Sequence, residues 1–184
     1  NTNVFSGMPN YQIATEGKSI LPDLNKVMGL WLPKPANFFF IGALCFYILA
    51  LVFGLNSYIA IFGALAYSFS TYNPIIIGAG HETKMMAIAY MPLLLAGLLL
   101  LFYKKYWIGL AVSTLGAYLL LMANHPQVSY YFFIVAGAIT LSYFSIWIKN
   151  KEYKHILIVF ALTVVAAAVG LGGYSLAYLT TKEY

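Results

Sequence analysis

The sequence predicts an all-α integral membrane protein with about six transmembrane helices, preceded by an extracytoplasmic loop that contains a short amphipathic helix. The 184 residues are 62% hydrophobic and only 8% charged, and the mean hydropathy is +0.81. Apolar runs of about 20 residues, the length that crosses a bilayer, alternate with short polar breaks. Several breaks carry lysine, the residue type that is typical of cytoplasmic loops.

The same composition excludes several classes of protein. Ten lysines and five acids could not cover the surface of a soluble enzyme, since soluble domains have about 25% charged residues. The net charge of +5 is spread between apolar runs, which is not the clustered pattern of a nucleic-acid-binding protein. Cys45 is the only cysteine and lies in an apolar run, so it forms neither a disulfide nor a thiolate metal site within this chain.

Residues 1–35 are predicted to form an extracytoplasmic loop segment, because they contain turn-forming residues and no long apolar run. The first ten residues read as loop and turn. Residues 19–32 are predicted to contain an amphipathic helix, since apolar residues recur there at spacings of three or four. Trp31, beside two prolines and a lysine, is typical of a membrane-interface anchor.

Residues 36–179 form the predicted transmembrane domain, and residues 180–184 begin the next extracytoplasmic loop. The six predicted spans are 36–54, 57–76, 85–103, 106–123, 128–148 and 155–178. The first two are separated only by Gly54-Leu55-Asn56, which predicts a tight helical hairpin.

Two lysine-rich loops, Lys104-Lys105 and Lys149 to Lys154, are predicted to face the cytoplasm. Two spans separate these loops, so the count of spans agrees that they share one side. The other loops then lie outside, and their polar residues indicate a site open to the outer leaflet. These residues are His81, Glu82, Lys84, Asn124, His125, Gln127 and Glu183.

The segment from His81 to Lys84 has two interpretations. It is either a loop and helix start, with Thr83 as a cap and Glu82 complementing the helix dipole, or a site. In a site, His81 or Glu82 would handle a proton or a metal ion, and Lys84 would face a phosphate. No ligand spacing supports zinc, whereas a loosely held Mg²⁺ or Mn²⁺ on Glu82 or Glu183 stays open.

The segment from Asn124 to Gln127 also has two interpretations. Pro126 breaks a helix, so His125 either caps the next helix or faces a ligand near the interface. Tyr130 follows, as part of an interfacial aromatic belt or as a platform for a sugar. Glu183, read alone, is a solvated charge after the last span.

Five motifs occur in order along nearly the whole chain, and together they resemble one family. They are Phe5-Ser6-Gly7-Met8-Pro9-x-Tyr11-Gln12-Ile13, Pro33-x-Pro35-Ala36-Asn37, Ala79-Gly80-His81-x-Thr83-Lys84-x-x-Ala87-Ile88-Ala89-Tyr90-Met91, Ala123-Asn124-His125-x-Gln127-x-x-Tyr130-Tyr131 and Thr180-Thr181-x-Glu183-Tyr184. The set resembles the YfhO-like bacterial membrane proteins, which are assigned to the GT-C glycosyltransferase superfamily.

The resemblance implies an enzyme of the bacterial inner membrane that transfers a sugar from a polyprenyl-phosphate donor to a cell-envelope acceptor on the outer face. It also implies a fragment of a longer chain, with the best candidate for the catalytic base, an acidic residue, before Asn1. Glu82 stands where related sequences often have another polar residue, which counts against Glu82 as the essential acid. The residues that match the family pattern are Tyr11, Gln12, His81, Lys84, Asn124, His125, Gln127 and Glu183.

Two other functions stay open from the sequence: a membrane transporter or flippase, and a non-catalytic membrane scaffold. The transporter reading is weakened because no span carries a charged residue at mid-membrane, where coupling residues are expected. It is also weakened because no pair of interrupted spans marks an inverted repeat.

Overall fold

The structure, a computed structural model, describes residues 3–4, 8–9 and 24–182, and helices account for most of them. Two short strands, β1 (Asn3–Val4) and β2 (Met8–Pro9), pair antiparallel with Asn3 opposite Pro9. The sequence predicts only loop and turn here, because strands of two residues leave no periodic apolar pattern.

Eight helices follow the two strands in the described residues. They are α1 (Leu24–Met28), α2 (Ala36–Val52), α3 (Ser57–Ser68), α4 (Tyr72–Gly78), α5 (Glu82–Phe102), α6 (Tyr106–Met122), α7 (Pro126–Lys149) and α8 (Tyr153–Lys182). The predicted helical class is therefore confirmed, and every predicted span corresponds to apolar helix.

Of the described helices, fewer than the predicted six are long and apolar enough to cross a membrane. Within the described residues, α5, α7 and α8 as far as Gly173 are long and apolar enough to cross a membrane, and α3 with α4 adds a fourth if the bent pair is one span. Helices α2 and α6 have 17 residues each, or about 25 Å of helix, against an apolar thickness of about 30 Å.

The predicted span 57–76 is not one continuous helix, because it bends by 40° between α3 and α4. Pro74 has no N–H to donate to the preceding turn, so a continuous helix would lack a hydrogen bond at the break. The buried Asn73 side chain donates to the carbonyls of Tyr67 and Ser68 at 3.0 Å each. The break is therefore stabilised within the protein rather than left to solvent.

Helix α1 is shorter than the amphipathic helix predicted over 19–32, and residues 19–23 of that prediction lie outside the described residues. The helix ends at Met28 because the chain then turns through Leu30 and Trp31, which both have positive φ. Its Leu24 and Met28 pack against the hydrophobic core. Helix α1 is thus part of the bundle rather than a separate surface helix.

Helix α5 is the centre of the bundle. Fourteen of its 21 residues are buried, and it packs mainly between α2 and α6. A helix that is apolar on all sides is expected in a protein interior or a membrane. Helices α7 and α8 instead expose most of their apolar surface, which is consistent with contact with a lipid bilayer.

Small residues bring α5 and α6 into close antiparallel contact. The three contacts along this seam pair Gly97 with Ser113, Leu101 with Gly109, and Leu94 with Gly116. A Cβ atom added to Gly97 would lie 2.3 Å from the Ser113 nitrogen, so the backbones touch directly. Such contacts stabilise helix pairs by van der Waals packing where lipid provides no hydrophobic driving force.

A proline interrupts the hydrogen bonding of α5 without ending the helix. Pro92 has no N–H, so it cannot donate to the carbonyl of Ile88 one turn earlier. The hydroxyl of Tyr67, from α3, donates to that carbonyl at 2.7 Å. The defect in the central helix is thus satisfied by a side chain from a neighbouring helix.

The bundle has two distinct ends. At the polar end, where α2, α5 and α7 begin, Lys34 Nζ lies 2.5 Å from Glu82 Oε2. At the basic end, where α6 and α8 begin, Lys104 Nζ lies 2.5 Å from Glu152 Oε2. This second ion pair joins the two lysine-rich loops, so they lie together as the sequence predicts.

Candidate functional site

The candidate residues within the described part of the chain lie at the polar end, on the first turns of α5 and α7. Glu82 is the first residue of α5, and its carboxylate pairs with Lys34, which precedes α2. Both side chains are partly exposed, so the pair contributes little to stability. The pair instead gives the Glu82 carboxylate a partner 48 residues earlier in the chain.

His81 stands at the N-cap position of α5, but its side chain makes no cap hydrogen bond. The predicted cap, Thr83, lies inside the first turn instead. The imidazole of His81 is exposed at the polar end. His81 is therefore placed to meet a ligand without first breaking a capping hydrogen bond.

Lys84 lies one turn into the polar end of α5. Its ammonium group is 5.2 Å from the centre of the Tyr72 ring in α4, which is a cation–π contact. Of the described residues, none forms an ion pair with Lys84. The ring of Tyr72 therefore positions a cation that no carboxylate of the described residues neutralises, and this cation could bind a phosphate at the polar end.

His125 has the capping role that is one of its two sequence interpretations. Its Nδ1 accepts a hydrogen bond from the Val128 backbone N–H at 3.4 Å, at the start of α7. The nitrogen that accepts carries no proton, so the neutral ring then carries its proton on Nε2. The cap therefore orients Nε2–H as a donor for another group.

The other polar residues near the start of α7 have different surroundings. Asn124 holds the turn before the helix with a φ of 52°, a conformation that asparagine tolerates better than most residues. Gln127 Nε2 donates to the Tyr131 hydroxyl at 3.3 Å, within the same helix. The neighbouring Tyr130 is exposed beside Tyr131, as either a belt residue or a sugar platform would be.

Three predicted site residues, Tyr11, Gln12 and Glu183, lie outside the described residues. Of the described residues, no three His, Cys, Asp or Glu side chains lie close enough together to hold a metal ion. Glu82, one of the two residues proposed for Mg²⁺ or Mn²⁺, has Lys34 as its partner in the structure.

Asn25 is a polar-end residue that sequence reasoning missed. Its side-chain oxygen accepts a hydrogen bond of 2.5 Å from the hydroxyl of Tyr90, which is fully buried in α5. Its amide nitrogen lies 4.0 Å from Met122 Sδ in α6. Asn25 thus joins α1 to the two central helices. The only sequence signal was a polar residue between Leu24 and Val27, which by itself predicts nothing.

An apolar cavity of about 400 Å³ lies beside α1, between α6 and α8. Leu24, Leu115 and Tyr118 form part of its wall together with Val169 and Gly173. Among the lining residues that the structure describes, only Thr114 and Tyr118 carry a hydroxyl, so this wall suits hydrocarbon rather than water.

The basic end contains a second cluster of polar groups that the sequence did not predict. His155, read from the sequence as an interfacial residue, is only 5% exposed. Its Nδ1 lies 2.7 Å from the Tyr106 hydroxyl, and its ring contacts Trp147 edge to face. These contacts join the starts of α6 and α8 to the end of α7, so they close the bundle at the basic end.

The ion pair of the basic end makes stability depend on pH. Because Lys104 donates a hydrogen bond to Glu152, the pKa of that carboxyl lies below its usual range. A carboxyl whose pKa is lower in the folded than in the unfolded protein stabilises the fold at pH values above the ordinary pKa of glutamate. This stabilisation is lost as the pH falls through the lowered pKa. We expect the difference in melting temperature between the wild type and Glu152→Gln to be constant near neutral pH and to decrease as the pH falls below the ordinary pKa of glutamate.

The measurement is thermal unfolding of both proteins at a series of pH values. A constant difference in melting temperature across the acidic range would show that the ion pair does not contribute.

Comparisons with known proteins add no relative. The chain matches no protein-family model, and no curated protein or solved structure is significantly similar to it. The resemblance to the YfhO-like proteins therefore rests on the five sequence motifs alone.

Proposed function

We propose that this chain is part of a membrane glycosyltransferase of the GT-C type, with its site at the polar end. The observation that carries the proposal is that His81 and Lys84, at the start of the central helix, are available to bind a ligand. Neither side chain has a hydrogen bond or an ion pair with any described residue. The core of the bundle, by contrast, is formed by hydrophobic residues. Polar groups kept available at one end of an apolar bundle are typical of a substrate site.

The proposed topology has six spans, with the polar end on the outer face of a bacterial inner membrane. Helices α2 and α6 count as spans at the lower limit of about 17 residues. The bent pair α3 and α4 counts as one span. The lysine-rich loops then face the cytoplasm, as the positive-inside rule requires.

In the proposed reaction, a carboxylate deprotonates an acceptor hydroxyl of the cell envelope, which attacks the anomeric carbon of a polyprenyl-phosphate-linked sugar. The bond from that carbon to the phosphate oxygen breaks, and negative charge develops on the phosphate. Lys84 would stabilise this charge, with His81 beside it on the same helix end. The Nε2–H of His125 would donate to the phosphate or to a sugar hydroxyl, and Asn124 and Gln127 would bind sugar hydroxyls.

Because Glu82 is paired with Lys34, it is a weaker candidate for the base than a carboxylate outside the described residues. On the resemblance alone, Glu183 remains a catalytic candidate, and Tyr11 and Gln12 remain candidates for substrate binding. The structure supports no direct role for Mg²⁺ or Mn²⁺ at Glu82, since a lysine stands beside the carboxylate.

The expected result is that Lys84→Gln lowers sugar transfer by about 10²-fold, because one group that stabilises developing charge is lost. Transfer of radiolabelled sugar from a mixture of polyprenyl-phosphate donors is measured in membranes that contain the full-length protein. Lys105→Gln, a lysine at the basic end, is the matched control and should retain transfer.

His125 needs a variant that separates its two roles. His125→Asn keeps an N-cap residue but removes the imidazole, so it should lose transfer while the melting temperature stays close to that of the wild type. His81→Ala should lose transfer with no loss of a cap. If both histidine variants and Lys84→Gln transfer sugar as the wild type does, the site is not at the polar end.

A transporter or flippase is the second candidate, and the bend between α3 and α4 is the observation that favours it. Transporters use interrupted helices whose free carbonyls bind ions or substrate. Here the carbonyls of Tyr67 and Ser68 already accept hydrogen bonds from Asn73. The break is therefore better explained as structure, and the transferase is the favoured proposal. No transfer from any donor, in wild type and variants alike, would favour a transporter or a scaffold.

A further inference from the structure

We propose that the basic end is a binding surface for the headgroups of anionic phospholipids. Its two loops carry five lysines and one acid, Glu152, which gives a formal net charge of +4. Glu152 is bound by Lys104. The remaining four lysines form no ion pair with any residue that the structure describes. They are Lys105, Lys149, Lys151 and Lys154.

The tertiary structure makes one surface of two separate loops. The Lys104–Glu152 ion pair holds the α5–α6 turn against the α7–α8 turn, and the Tyr106–His155 hydrogen bond fixes the helix starts beside them. Glu152, the single acid of these two loops, is already paired with Lys104 in this link. Positive charge from both loops is therefore concentrated on one exposed patch.

Backbone conformation gives a second, independent observation. Lys104 and Lys151 occupy the left-handed position of their turns, with φ values of 64° and 59°. The uncharged α2–α3 turn uses Gly54 at the corresponding position, with a φ of 80°, where glycine avoids the strain that a Cβ causes. Both turns thus carry a lysine at a position where glycine would avoid strain.

Aromatic residues place the lysines at the depth of lipid headgroups. Trp107 on the first turn of α6 is 85% exposed, and Tyr153 at the start of α8 is 59% exposed. Tryptophan and tyrosine are typical of the interface between headgroups and hydrocarbon. A cluster of free lysines at that depth is complementary to anionic phosphate, and zwitterionic headgroups do not provide the same attraction.

The test measures lipid selectivity by tryptophan fluorescence in reconstituted vesicles. The Trp31→Phe variant leaves Trp107 and Trp147, both at the basic end, as the reporters. Brominated phosphatidylglycerol, which quenches tryptophan on contact, competes with unbrominated phosphatidylcholine, and the reverse pair serves as the reference. We expect phosphatidylglycerol to be preferred by at least about fivefold at low ionic strength, with the preference decreasing as salt is added.

Two triple variants, both made in the Trp31→Phe protein, distinguish an effect of this surface from an effect of the total charge. Lys105→Gln with Lys149→Gln and Lys154→Gln should abolish the preference, since each lysine near an anionic surface contributes up to about fivefold and three are lost together. The matched control changes Lys26, Lys34 and Lys84 to Gln and should keep the preference. If the control loses it equally, net charge and not this surface is responsible, and the proposal is wrong.

Lys151→Gly tests the strained lysine. The variant should unfold at a higher temperature, since the strain is relieved, while its preference for phosphatidylglycerol falls. A variant that keeps the full preference would contradict a role for this lysine in lipid binding. At matched ionic strength, inorganic phosphate should lower the preference no more than chloride does. Displacement by phosphate would assign the surface to a soluble anion, and equal quenching by both lipids would overturn the proposal.

Discussion

Replacing Gly97 by alanine should destabilise the protein strongly, although the change adds only one methyl group. The added Cβ would lie 2.3 Å from the Ser113 nitrogen and 2.5 Å from its Cα, so no side-chain rotation relieves the contact. Helices α5 and α6 would have to separate along their whole seam. We expect a loss of about 3 kcal/mol, or roughly 6–12 °C in melting temperature.

The chain provides its own reporter and controls for this measurement. Cys45 is the only cysteine and is fully buried, so its labelling by a thiol-reactive fluorophore follows unfolding. Gly137→Ala and Gly172→Ala are matched controls, since an added Cβ meets nothing within 4 Å at either position. These controls should be neutral or slightly stabilising. Equal melting temperatures for Gly97→Ala and the controls would show that α5 and α6 do not touch at this seam.

Removing the hydroxyl of Tyr67 should give the second large effect. Tyr67→Phe keeps the ring stacked on Phe46, at 4.8 Å between centroids, but leaves the Ile88 carbonyl without its donor. An unsatisfied carbonyl in an apolar interior costs about 1–3 kcal/mol. Tyr58→Phe, at an 86% exposed position of the same helix, should have no effect on the melting temperature.

A double-mutant cycle tests the cause of that effect. Pro92→Ala restores an N–H that can donate to the Ile88 carbonyl within α5. The cost of Tyr67→Phe should therefore be smaller in the Pro92→Ala background, with a coupling of about 1 kcal/mol. Additive effects of the two substitutions would mean that Tyr67 stabilises the protein through its packing and not by repairing the proline defect.

Both expected effects concern the helix that carries His81 and Lys84. The contacts with α6 fix the half of α5 that is nearest the basic end, and the hydrogen bond from Tyr67 stabilises the turn before Pro92. The hydrogen bond from Tyr90 to Asn25 then attaches α1 to the polar half. A side chain on the first turn of α5 is therefore positioned by contacts one to four turns away from it.

Much of the fold could be predicted because its signals are local. Runs of apolar residues predicted the helical segments from α2 to α8, with α3 and α4 as a single span, and the lysine-rich loops predicted which turns share an end. His125 beside Pro126 allowed a capping role, which the structure shows. The bend at Asn73 was missed, since an apolar run of 20 residues reads as one span whether or not polar side chains interrupt its backbone.

The candidate site was predicted as a set of residues but not as an arrangement. The pairing of Glu82 with Lys34 joins residues that no local pattern connects. The same is true of Asn25 with Tyr90 and of Tyr106 with His155. Each of these pairs depends on how helices pack, which hydropathy does not encode.

The sequence by itself determined that this protein is helical, apolar and suited to a membrane, because composition and periodicity act over single helices. Only the tertiary structure decided that α5 is the central helix, that Tyr67 repairs the defect at Pro92, and that lysines of two loops form one surface. The physical reason is that these features depend on close contact between segments far apart in the chain. Glycines at Gly97 and Gly116 permit that contact, but only packing selects the partner.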